Sequence, residues 1–124
     1  MAQPINPEIE LTPQQAKQLL DDGKLLLIDC RTPAEFELVH VAGAQLLPLD
    51  QIESRHDEVE PEPGQTVAVM CHHGVRSLKA AHALRAMGHG KVMSVAGGID
   101  LWSLQVDKSV GRYERSTGVP RFVS

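Results

Sequence analysis

Four apolar residues run directly into a cysteine at Val67-Ala68-Val69-Met70-Cys71, and a short loop then opens an alanine-rich segment. An uninterrupted apolar run of this length, bounded by turn signals, suits a strand covered on both faces. This is the feature that most restricts the fold, because doubly covered strands belong to parallel sheets with helices on either side. The loop reads His72-His73-Gly74-Val75-Arg76-Ser77, and the segment Leu78 to Met87 predicts a helix with Ser77 as its cap. A thiol is thereby placed at the carboxyl end of a parallel strand, where open α/β sheets hold their ligands.

The same arrangement acts on the chemistry of Cys71. Backbone N–H groups of the loop and the positive end of the following helix face the sulfur, and Arg76 adds a full charge. Each favours thiolate over thiol. A free cysteine with pKa about 8.5 is roughly 3% ionised at neutral pH, whereas one lowered to about 6.5 is mostly ionised. A nucleophilic cysteine is the functional reading, and a buried strand cysteine before an ordinary turn is the plain alternative. Gly74 predicts a positive φ or a close ligand approach.

The rest of the chain alternates in the same way. Ile9-Glu10-Leu11 predicts a short strand, and Thr12-Pro13-Gln14-Gln15 a capping box that opens a helix ending near Gly23. Leu25 to Ile28 predicts a second doubly buried strand running into Asp29-Cys30-Arg31, and Thr32-Pro33-Ala34-Glu35 opens a short helix. Ala44 to Leu47 predicts a third strand, Leu49 to Val59 a charged helix, and Lys91 to Val95 the last strand. Gly97-Gly98 opens a further short helix containing Trp102, a core residue. Residues 1–8 form a loose lead-in. From Asp107 to Ser124 the pattern predicts an extended tail packing through Tyr113, Val119 and Phe122. The prediction is an α/β domain spanning residues 1–124, with a core of about 9–105 and a central parallel sheet of about five strands between two helical layers.

With 124 residues and a net charge of −4, the chain has no global field drawing it to nucleic acid, and four aromatics provide no stacking platform. No apolar run approaches the ~20 residues of a membrane span, and no signal peptide is visible. Two cysteines do not make a disulfide framework and suit a reducing, cytoplasmic setting.

Three segments together resemble the rhodanese family of sulfurtransferases, specifically its single-domain members: Asp29-Cys30-Arg31 with Glu35-Phe36 and His40, the Cys71 to Ser77 loop, and Gly97-Gly98-Ile99 with Trp102. The likeness covers about residues 9–105 and implies a rhodanese-like three-layer domain. In the sulfurtransferase members four residues separate cysteine from arginine, while the phosphatases of the same fold have one more. Cys71 and Arg76 enclose four, so the resemblance points to sulfur and away from a phosphatase or arsenate reductase. Val39 and Ala42 depart from the glycine and proline usual on either side of the family's histidine, and Cys30 stands where an aliphatic residue is common.

The resemblance implies that Cys71 accepts sulfane sulfur from thiosulfate or a persulfide and passes it, by a ping-pong mechanism, to cyanide or a thiol. No metal or organic cofactor is required. His72, His73, Gly74, Val75, Arg76 and Ser77 would surround the bound sulfur. Arg76 either binds an anionic donor or braces the loop on carboxylates. His72 and His73 either tune the thiolate, contact the acceptor or face solvent; adjacent positions match no zinc spacing. Asp29 and Arg31 are supporting residues that either stand near the pocket at the sheet's carboxyl edge or brace a loop. Cys30 is a buried strand residue, or a resolving thiol if it lies beside Cys71. His40 stabilises a turn, and His56, His82 and His89 carry no signal. A sulfur-carrier or docking module that works only with a partner enzyme is the competing reading, and a protein thiol or persulfide is a candidate partner.

Overall fold

The structure, a computed structural model, describes residues 5–115 and 119–123. Among the described residues the α-helices and strands follow in order: β1 (Glu10–Leu11), α1 (Pro13–Asp21), β2 (Leu25–Asp29), α2 (Pro33–Leu38), β3 (Gln45–Leu46), α3 (Ile52–Arg55), β4 (Thr66–Met70), α4 (Val75–Ala86), β5 (Met93–Val95), α5 (Gly98–Gln105), β6 (Arg112–Glu114) and β7 (Arg121–Val123). The first five strands make one sheet in the order β1-β5-β4-β2-β3, parallel at every pairing. From β2 the chain crosses to β3 on one side and then to β4 on the other. The order therefore reverses between β2 and β4, and a crevice opens beyond their carboxyl ends.

Strand periodicity sorts the core into two layers. Leu26, Ile28 and Cys30 from the β2 side, with Val67, Val69 and Cys71 from β4, pack with Ile52, Ala80, Ala81 and Leu84. Leu25 and Leu27, with Ala68 and Met70, pack with Ala16, Ile99, Trp102 and Tyr113 on the other face. Helices α3 and α4 thus cover one side, α1 and α5 the other. Both predicted capping boxes form: Thr12 with Gln15 opens α1 and Thr32 with Glu35 opens α2, each with proline in the first turn.

Three expectations are corrected. The segment Leu49 to Val59 is no single helix but a 3-10 turn, the four residues of α3 and a second 3-10 turn. The Leu49 N–H is held by the Cys30 carbonyl at 3.0 Å, and only Ile52 and Val59 are driven into the core. With so few buried anchors the stretch follows the surface. Ser77 does not cap α4, because Gly74 takes the cap position with φ +98°; Ser77 lies inside the first turn, facing the sulfur. The tail is not simply extended: β6 and β7 form an antiparallel hairpin with Tyr113 opposite Phe122. Tyr113 is buried as predicted, whereas Val119 and Phe122 are exposed. The predicted lead-in falls partly on residues 1–4, outside the described residues. Among the described residues no helix is long and apolar enough to cross a membrane.

Candidate active site

Strand β4 delivers Cys71 to the crevice, and the turn after it is shaped from two directions. The Ile99 and Asp100 N–H groups, in the first turn of α5, donate to the Cys71 and His72 carbonyls at 2.8 and 3.1 Å. Those contacts turn the carbonyls outward, so the N–H groups that follow point in. The Gly74 N–H donates to Cys71 Sγ at 3.0 Å and the Ser77 N–H at 3.3 Å. With sulfur as the thiolate, the Ser77 hydroxyl donates to it at 3.4 Å and pairs at 2.7 Å with the buried Ser94 hydroxyl.

Cys71 is only 1% exposed, and burial alone would raise its pKa. The hydrogen bonds win. A bond from the Cys30 thiol is the largest contribution, followed after the opposing burial by those from Ser77 and Gly74, and the Cys71 pKa falls to about 5. The Cys30 thiol is pushed up for the complementary reason, as donor to that sulfur in a buried site. The register that pairs Ile28 with Val69 and Asp29 with Met70 sets the two cysteines side by side on one face. Neither is in a disulfide.

Arg76 braces the loop. Its guanidinium meets the Glu35 carboxylate twice, Nη1 to Oε1 at 2.7 Å and Nη2 to Oε2 at 2.9 Å. Glu35, buried at the start of α2, also accepts from the Tyr113 hydroxyl and the Thr32 N–H, and Arg115 lies 3.7 Å from it. Burial would raise the Glu35 pKa, but Arg76 foremost and Tyr113 next hold it at about 2. Arg76 also keeps 21% of its side chain exposed and lines the cavity over the crevice.

The other predicted residues separate by role. Asp29 and Arg31 form a fully buried ion pair at 2.6 Å. All five N–H donors of Arg31 are engaged, by Asp29, the Val39 and Glu35 carbonyls and the Tyr113 hydroxyl. The pair ties the end of β2 to the Glu35 and Val39 carbonyls and to Tyr113. His72 does not face solvent: its ring stacks on Tyr113 at 4.0 Å and its Nε2–H donates to the Tyr113 carbonyl. Burial first, then the neighbouring His73, lowers its pKa to about 4, so it is neutral at pH 7. His73 is exposed, 3.9 Å from Asp100. Val75 points outward, and its contribution is backbone. Gly74 has the predicted positive φ. His40 stabilises its turn as predicted, donating from Nδ1 to the Phe36 carbonyl. Trp102 is in the core.

Sequence reasoning assigned no site role to Glu35, Tyr113, Arg115 or Ser94. Glu35 was legible as a helix cap, and Tyr113 as a packing residue without a target. A cavity of about 440 Å³ opens over the crevice, lined by Cys30, Thr32, Pro48, Gln51, Arg76 and Arg115 among others. Among the described residues no group of His, Cys, Asp and Glu is placed to hold a metal.

This geometry can be set beside known proteins. The rhodanese-like domain family matches residues 12–105. The probable adenylyltransferase/sulfurtransferase MoeZ of Mycobacterium tuberculosis is 36% identical over 104 residues, 83% of this chain but 26% of that protein. The chain therefore spans about a quarter of that relative's length. The thiosulfate sulfurtransferase GlpE of Tolumonas auensis is 37% identical over 89 residues, 72% of this chain and 82% of the relative. A rhodanese-like domain protein from Staphylococcus aureus superposes with TM-score 0.67 at 27% identity, covering 76% of this chain and 90% of that one. The parallel sheet, the cysteine loop at its switch point and the match across most of the chain establish that this protein belongs to the rhodanese-like domain family.

Proposed function

We propose that the protein is a sulfurtransferase working through a Cys71 persulfide. The Cys71 thiolate attacks the outer sulfur of thiosulfate; a new S–S bond forms, the old one breaks, and sulfite departs with its electron pair. Cyanide then removes the outer sulfur as thiocyanate, or a thiol removes it as a new persulfide, and the thiolate returns. The observation that carries this reading is the sulfur itself, ringed by the Gly74 and Ser77 N–H groups and held at a pKa of about 5. The same donors suit the anionic outer sulfur of a persulfide. Arg76 and Arg115 at the cavity rim suit a small dianion as donor. The protein named as a thiosulfate sulfurtransferase among the relatives supports that choice.

The test is to incubate the protein with thiosulfate, remove the excess and weigh the intact chain. A gain of about 32 Da, one sulfur, is expected; it disappears with cyanide and never forms on Cys71→Ser. Absence of the adduct with both thiosulfate and a small persulfide donor would overturn the reading.

A sulfur carrier serving a partner enzyme is the second reading. It is favoured by the match to only a quarter of a longer protein named for two activities. Many turnovers of thiosulfate and cyanide by the chain alone support the enzyme; a single turnover supports the carrier.

A further inference from the structure

We propose that Cys30 is a resolving thiol: it discharges the Cys71 persulfide as hydrosulfide and leaves a Cys30–Cys71 disulfide that a dithiol reductant reopens. This rests on the persulfide reading above and adds a second outlet for the sulfur.

The parallel ladder pairs Asp29 with Met70, and the Cys30 N–H continues it by donating to the Met70 carbonyl at 3.0 Å. One residue further sets Cys30 beside Cys71, both turned to the face that α4 covers. Neighbouring strands lie about 4.8 Å apart, inside the Cα separations a disulfide accepts. Each sulfur acts on the other's ionisation, drawing the Cys71 pKa down and pushing the Cys30 thiol up. Both are about as deeply buried as residues can be, at 1% exposure, so the nearest nucleophile to a persulfide on Cys71 is already resident.

The step balances without an external base. The Cys30 sulfur attacks Cys71 Sγ, the bond from Sγ to the outer sulfur breaks, and the proton leaving Cys30 goes out on the departing sulfur as HS⁻. The outer sulfur is reduced, and the two cysteine sulfurs are oxidised to the disulfide. An external dithiol, the named co-reactant, then reopens it. Cys30 lines the 440 Å³ cavity and Cys71 does not, so the dithiol approaches the disulfide from the Cys30 side. Cys71, the more acidic thiol, is the better leaving group and is regenerated as thiolate.

The experiment loads the full chain with thiosulfate, removes the excess and follows intact mass and hydrosulfide without oxygen or acceptor. The adduct of about 32 Da is expected to give way to a species about 2 Da lighter than the reduced chain. One equivalent of hydrosulfide should accompany it, a peptide joining Cys30 to Cys71 should appear on digestion, and dithiothreitol should restore the reduced mass. Cys30→Ser and Cys30→Val should keep the adduct at least tenfold longer. Wild-type protein that loads and then holds its sulfur, with no joined peptide, overturns the proposal while leaving the persulfide reading intact. Failure to load at all removes both.

Discussion

At the scale of single residues, the reactivity of Cys71 is a contest between burial and four hydrogen-bond donors, which the donors win. The rate of alkylation by iodoacetamide should therefore rise with pH through a midpoint near 5 and stay level to pH 8. Ser77→Ala deletes one donor and breaks the link to Ser94. It should move that midpoint upward by roughly one pH unit; an unmoved midpoint would mean that the hydroxyl does not reach the thiolate. Glu35 is a different contest, an anion made tenable in the interior by Arg76, Tyr113 and a helix start. Glu35→Gln leaves Arg76 without its counter-charge and should lower the free energy of unfolding by about 3 kcal/mol, read from urea titration.

At the scale of elements, the loop is held by the N-terminus of α5 as much as by its own sequence. A Cβ on Gly98, whose φ is +60°, would lie 2.3 Å from the Cys71 carbonyl oxygen and 2.5 Å from that of His72. Both are backbone atoms with nowhere to retreat. Gly98→Ala should cut sulfur loading at least tenfold and lower the urea midpoint; loading at the wild-type rate would show that the α5 contact does not shape the loop. This element was legible from two adjacent glycines, and the strands were legible from apolar runs. The capping boxes announced α1 and α2 because their bonds are local in sequence. What stayed hidden depends on partners far along the chain. The turn of His72 inward follows from a ring 41 residues away. The Glu35 partner of Arg76 stayed hidden for the same reason, since it lies another 41 residues off and closes on both Nη atoms. The break-up of the segment Leu49 to Val59 likewise reflects the surface it crosses more than its own propensity.

At the scale of the whole molecule, two buried groups make stability depend on pH in the same direction. Glu35 is held at about 2 against an ordinary 4.5, so the unfolded chain takes a proton first; the stabilisation is complete above 4.5 and is lost as pH falls toward 2. His72 is held at about 4 against 6.5 by burial, so the unfolded chain again protonates first, and stability drops as pH falls from 6.5 to 4. Each shift corresponds to roughly 3 kcal/mol. The urea midpoint should decline steadily between pH 7 and pH 3, and a midpoint constant down to pH 4 would contradict the enclosed His72. The Tyr113 hydroxyl, which closes the junction of Glu35 and Arg31, has a consequence for biosynthesis. The ribosome makes every strand of the parallel sheet before it makes Tyr113, so of Arg31, Glu35 and Tyr113 the hydroxyl that closes their junction is the last to be added. The pocket's bracing is thus completed only by the last-made part of the described chain.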